Sequence, residues 1–252
     1  DYSNVTYTCA GINHMAFFLE LKENGKDLYP ILKEKIKDEQ YYNKEKVRNE
    51  IFKTFGYYVT ESSGHNSEYV PWFRKRPDLI RKFCNEKGAG WNPGEYAFSL
   101  NIRKNPNRFD NRANEFLDKP IPKERTSEYA ANILNARLGD YTPFPFNANI
   151  INNGNVENLP YDACVEIPVI ATKDGYERQF KGKLPDAVAI MVNQTAGIEN
   201  LVVDAWKEKS KEKVYQAVSL DPLCSAVLSL EEVKEMCDEL FEVNKEYLKE
   251  YK

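Results

Sequence analysis

Only two histidines occur among the 252 residues, and each lies beside groups that could share chemistry with it. His14 sits inside the apolar run "CAGINHMAFFLEL", residues 9–21. There a neutral imidazole reads either as a satisfied core side chain or as a metal ligand. His65 lies in "TESSGHNSEY", residues 60–69, together with Glu61, Glu68 and Tyr69. His, Glu and Tyr are all side chains able to move a proton as general acid or base. The same residues also read as a helix start, with Asn66 or Ser67 as the cap, Glu68 favouring the dipole and His65 exposed. A third stretch, "NANIINNGNVENLP", carries six asparagines in its first twelve residues. Asparagines tolerate tight turns, and their amides offer the donors and acceptors that read sugar hydroxyls. Phe17, Phe18, Tyr57, Trp72 and Phe73 lie close in sequence to these stretches. Amides, acids and aromatics together are the composition of a sugar site.

The elements that must position these groups follow from patterning. Val5, Tyr7 and Cys9 alternate with Thr6 and Thr8, which predicts a half-buried strand. "MAFFLEL" and "KDLY" about Asn24-Gly25 predict a hairpin over 15–29. Residues 30–37 read as a short helix. Val47, Ile51 and Phe55 recur every four residues and Gly56 supplies a stop, so 41–56 reads as one amphipathic helix. Residues 57–69 read as a short strand into a polar loop, and 67–90 as helix broken near Pro77. Residues 86–123 show little periodicity and are expected to be irregular with one helical segment, in the manner of functional or subunit-contact loops. A helix over 123–140, a strand from 144 and two strands about "KDG" follow. From Asp186 the chain reads as helical almost to its end. The apolar segment 186–210 is expected to be central, and the last helix opens on Ser229 with Glu231 and Glu232 behind it. This order predicts an α+β fold with a mixed, mostly antiparallel sheet packed with long helices.

Composition bounds the rest. The net charge of −4 and interspersed charges give no nucleic-acid footprint. No apolar run is long enough for a membrane span, and no signal peptide is visible. Five widely spaced cysteines form no CxxC pair, which fits a reduced, cytoplasmic setting. No GxGxxG or GxxxxGK[ST] occurs, and "GAGW" at Gly88 follows no predicted strand. The sequence opens mid-strand without a Met, which reads as the second half of something longer. Residues 1–252 are taken as one domain.

"CAGINHMAFFLELKENGKDLYP", "GYYVTESSGHNSEYVPWFRK" and "NIINNGNVENLPYDACVEIPVIA" together resemble the C-terminal half of family 4 glycoside hydrolases. The similarity is to the α-galactosidase, α-galacturonidase and α-glucosidase branch. It implies a fold like the C-terminal domains of lactate and malate dehydrogenases, with a nucleotide-binding Rossmann half upstream. It also implies cleavage of α-glycosides with NAD+ and Mn2+, outside two-carboxylate hydrolysis. In that chemistry hydride leaves sugar C3, a base takes the C2 proton, the aglycone leaves C1, and water and hydride then add back. By resemblance His14 is the metal histidine and Asn13 holds the substrate or that histidine. The base is Tyr69, with Glu61 and His65 as alternatives, and Asn152 and Asn153 touch substrate. The family's metal cysteine lies upstream of this block, so Cys9 is not expected to be that ligand. The fragment alone is expected to be inactive, and the intact protein a dimer or tetramer. Two other readings stand beside this one: half of a 2-hydroxy-acid dehydrogenase-like oxidoreductase, and a non-catalytic sugar-binding or oligomerisation module. A module would bind sugar without Mn2+.

Overall fold

Asn24 and Gly25 take positive φ values of 50° and 78°, and the chain reverses there as the Asn-Gly pair predicts. The flanking strands are β2 (Met15–Glu23) and the short β3 (Lys26–Asp27). A computed structural model describes residues 2–84, 103–105, 107–117, 119–120, 123–124, 126 and 128–252. Before β2 runs β1 (Val5–Ile12), joined to it antiparallel with Ile12 opposite Met15. The connecting turn is therefore only Asn13-His14, and His14 carries a φ of 63°. A non-glycine side chain in this left-handed region costs roughly 1 kcal/mol or more. This second hairpin has no glycine to announce it, so the alternation of residues 5–9 gave the strand without its partner.

The later strands are β4 (Tyr58–Val59), β5 (Phe144–Ile151), β6 (Cys164–Thr172) and β7 (Gly175–Arg178). They complete a seven-stranded sheet of order β3-β2-β1-β6-β5, with β4 on β2 and β7 on β6. Every pairing between strands is antiparallel. Because β1 and β5 both run opposite to β6, their C-terminal ends lie at one end of the sheet. β6 alternates as a half-buried strand should: Val165, Ile167, Val169 and Ala171 are buried, and Glu166 points to the other face.

The helices among the described residues begin with α1 (Tyr29–Lys35), α2 (Glu39–Tyr42) and α3 (Lys46–Phe55). The helix expected over 41–56 is thus divided. Asp38 caps α2 by accepting from the Gln40 N–H, and α3 starts afresh and stops at left-handed Gly56. Residues 63–68, expected as loop, form α4 (Ser63–Glu68). Asn66 and Ser67 are buried inside it and are not its cap. Then come α5 (Pro77–Phe83), α6 (Arg108–Leu117), α7 (Ala130–Leu138) and α8 (Asp186–Glu208). Most of the segment expected to be irregular, 86–123, lies outside the described residues, as does Gly88. α9 (Lys211–Leu220), α10 (Pro222–Val227) and α11 (Leu230–Val243) follow, and Ser229 closes a capping box with Glu232 at the start of α11.

The core joins Ile12, Met15 and Phe17 of the β1–β2 hairpin to Val47 and Ile51 of α3 and to Val188, Val192 and Ala196 of α8. α8 is central only over its first half. Its second half leaves Val202, Val203 and Trp206 exposed.

Candidate active site

The β1–β2 turn carries His14 to one end of the sheet, and residues 61–69 come to meet it. β4 delivers the chain to Glu61 by pairing with β2. The Thr60 N–H is bonded to the Ala16 carbonyl at 2.9 Å, which fixes the level at which that segment arrives. Glu61 Oε2 then lies 2.7 Å from His14 Nδ1. Its other oxygen accepts the Ser62 N–H at 2.6 Å. From α4, Asn66 donates its Nδ2 to the His14 carbonyl at 3.2 Å, which braces the left-handed turn. Tyr69, just past α4, stacks on the imidazole with centroids 5.2 Å apart and planes 22° apart. His65 closes on the imidazole at 5.1 Å. Four of the residues singled out in the sequence, His14, Glu61, His65 and Tyr69, are therefore neighbours although 47 residues separate His14 from Glu61.

The other three fall differently. Asn13 is exposed beside His14 in the turn. Asn152 and Asn153 follow β5 at the same end of the sheet. The Asn152 amide is used within its own loop: Nδ2 donates to the carbonyls of Val156, Leu159 and Pro160, and Oδ1 accepts from the Val156 N–H. The side chain is fully buried, so it staples the loop and has nothing left for a substrate. Asn153 is exposed, with a left-handed φ of 48°.

Two carboxylates complete the surroundings, and sequence reading missed both. Glu166 stands on β6 opposite Gly11 of β1. Burial pushes its carboxyl above the usual range, and the charge of Glu61 adds to this, while His14 opposes it. Glu199 lies on α8 one turn beyond Thr195, whose hydroxyl reaches Met15 Sδ at 3.4 Å. Burial raises its carboxyl too, against the pull of His14. A signal for Glu199 existed. Val192, Ala196 and Glu199 follow the three- and four-residue steps of one helix face, so this acid sits in a buried stripe. Glu61 shows the opposite balance: burial raises its carboxyl, but Ser62 and His14 outweigh burial and hold it low. Burial raises the Tyr69 phenol, and the charges of Glu199, Glu68, Glu61 and Asp221 push it further the same way.

A divalent cation would find one prepared donor here. With Nδ1 bonded to Glu61, Nε2 is the ring nitrogen left for a cation, on a side chain that stays partly exposed. Among the described residues no group of three or more His, Cys, Asp or Glu side chains is arranged to hold a metal. Here His14 could give a divalent cation one nitrogen donor. Cys9 does not supply one: it is fully buried, and burial with the charge of Glu166 pushes its thiol up to about 12.

Known proteins resemble this chain over nearly its whole length. An alpha-galactosidase of Bacillus subtilis (strain 168) is 36% identical over 100% of this chain and 57% of its own length. An alpha-galactosidase of Rhizobium meliloti (strain 1021) is 32% identical over 97% of this chain and 51% of its own length. The chain therefore spans about half the length of the curated relatives it matches. A crystal structure of a 6-phospho-alpha-glucosidase from gut microorganisms, in complex with NAD and Mn2+, superposes with a TM-score of 0.69. It shares 20% identity, covers 97% of this chain and 56% of that one, and so speaks for the fold. Residues 9–224 match the family described as "Family 4 glycosyl hydrolase C-terminal domain". The hairpin, the sheet and the helices that bring His14 and Tyr69 together are those of a member of that family, to which this chain belongs.

Proposed function

We propose that this chain is the sugar- and metal-facing half of an α-glycosidase acting on α-galactosides, with NAD+ and Mn2+ as cofactors and an upstream nucleotide-binding half as its complement. The observation that carries this is the His14–Glu61–Tyr69 cluster at the tip of the β1–β2 hairpin. Bound Mn2+ supplies a Lewis acid for the sugar oxygens, and NAD+ accepts and returns hydride. His14 would hold the ion through Nε2. Tyr69, stacked on that imidazole, would take the C2 proton. Its phenol is raised by burial and by carboxylates, so it needs a nearby cation to ionise near neutral pH. Asn13, exposed in the turn, is free to meet a sugar hydroxyl, and Asn153 offers a second amide from the β5 end. Asn152 is not carried forward, because its amide is spent.

Two points favour a neutral galactoside. The two relatives above are α-galactosidases. The charges felt at Tyr69 are those of Glu199, Glu68, Glu61 and Asp221. A galacturonate or a sugar 6-phosphate would face this negative field, whereas a neutral hexose would not.

The test uses the intact protein with nitrophenyl α-galactoside, α-galacturonide and α-glucoside, in D2O with NAD+, Mn2+ and a reductant. The expected result is release from the galactoside that requires both cofactors, with deuterium at sugar C2. Cofactor-independent release, or none from any of the three, would reject the proposal.

A further inference from the structure

We infer that Glu61 is the positioning residue of the metal histidine: it fixes the tautomer and the ring angle of His14 so that Nε2 alone is presented to a divalent cation. This rests on the function proposed above and assigns Glu61 a role other than base.

An ionised carboxylate can only accept hydrogen bonds. The 2.7 Å contact between Glu61 Oε2 and His14 Nδ1 therefore places the ring proton on Nδ1. In a neutral imidazole the lone pair is then on Nε2. Glu61 is itself held, since its second oxygen accepts the Ser62 N–H at 2.6 Å. Rotating the carboxylate to reach a substrate proton would break both contacts. The rest of the imidazole is constrained from the same short segment. Asn66 holds the His14 carbonyl, and the rings of Tyr69 and His65 flank the imidazole at 5.2 and 5.1 Å. The His14 and Glu61 side chains keep 27% and 24% exposure, so the pair is sheltered but not closed off from solvent. A ligand histidine fixed by an outer carboxylate loses its metal when that carboxylate is removed, typically by about 10- to 100-fold in affinity.

The experiment measures Mn2+ affinity of the intact protein without substrate, from the electron paramagnetic resonance signal of free Mn2+. Glu61→Met and Glu61→Gln are compared with the unmodified protein. Met matches the side chain in length but is a poor acceptor. Gln can still accept the Nδ1 proton through its amide oxygen. The expected result is a loss of about 10- to 100-fold for Glu61→Met and a clearly smaller one for Glu61→Gln. Urea midpoints of the variants separate loss of binding from loss of fold. Should Glu61→Met not fold, Glu61→Ala takes its place in the same comparison. Equal affinity in all variants, or equal loss in Met and Gln variants, overturns the role of Glu61 alone. An unmodified intact protein that binds no Mn2+ overturns the metalloenzyme assignment and this role with it.

Discussion

Tyr69, the base in the function proposed above, has by itself the wrong acidity. Burial and four carboxylates raise its phenol, so in the isolated chain it holds its proton. What would make it useful is position: it stacks on His14, the imidazole that the proposed function gives to a cation. Tyr69→Phe keeps the stack and removes the proton acceptor. Turnover of the intact protein should fall by about 10²- to 10⁴-fold, with deuterium exchange at C2 lost in parallel and Mn2+ affinity unchanged. A Tyr69→Phe protein that still exchanges C2 would return the base to the carboxylates. Those carboxylates also leave a stability signature. Glu166 and Glu199 bind their protons more tightly folded than unfolded. Their contribution is therefore fully present below the unfolded carboxylate range and is lost as pH rises through the raised folded values. Glu199→Gln has no charged form to penalise. It should raise the urea midpoint relative to the parent at about pH 8 and leave it nearly unchanged at about pH 4. Glu61 runs the other way: its stabilisation holds above the unfolded range and fades as pH falls through its lowered value.

At the scale of elements, the site depends on how closely β1 and β2 approach at their shared turn. Gly11 takes a φ of 156°, and a Cβ built there would meet the Met15 carbonyl oxygen at 2.3 Å and Ala16 Cα at 2.6 Å. Both are backbone atoms of the paired strand, so neither can swing aside. Gly11→Ala should destabilise the fold by about 2–4 kcal/mol, read as a lower urea midpoint, because it adds backbone strain to a forced separation of strands. The turn it would disturb is the part of the fold least legible in the sequence. Asn24-Gly25 declared its hairpin because both residue types accept positive φ. Asn13-His14 carried no such mark, since His14 adopts its left-handed φ through tertiary bonds from Asn66 and Glu61. Residues 63–68 failed for a related reason. Ser, Gly, His and Asn are indifferent helix formers, and their helix forms because it packs on α3 with Asn66 and Ser67 buried and Asn66 bonded to the His14 carbonyl. Asn152 misled in the opposite direction. A run of asparagines reads equally as ligand amides or as turn staples, and only the four loop bonds made by Asn152 decide between them.

For the whole molecule, the decisive fact is what the sheet end presents and what it lacks. It presents the imidazoles of His14 and His65, the Tyr69 phenol, exposed amides at Asn13 and Asn153, and carboxylates on β6 and α8. Among the described residues no strand feeds a glycine-rich turn into a helix, and no three-donor metal cluster forms. The chain matches about half the length of its relatives. A single imidazole binds Mn2+ weakly, because a borderline nitrogen donor needs oxygen or sulfur partners to compete with water. The chain of residues 1–252 alone should therefore show no NAD+-dependent release from nitrophenyl α-galactoside at any Mn2+ concentration. Co-expression with the upstream half should restore release, and Mn2+ affinity should rise at the same step, because both depend on donors converging on His14. Restored turnover with no gain in Mn2+ affinity would place the ion wholly on the upstream half. Turnover by residues 1–252 alone would show that the sheet end is a complete active site.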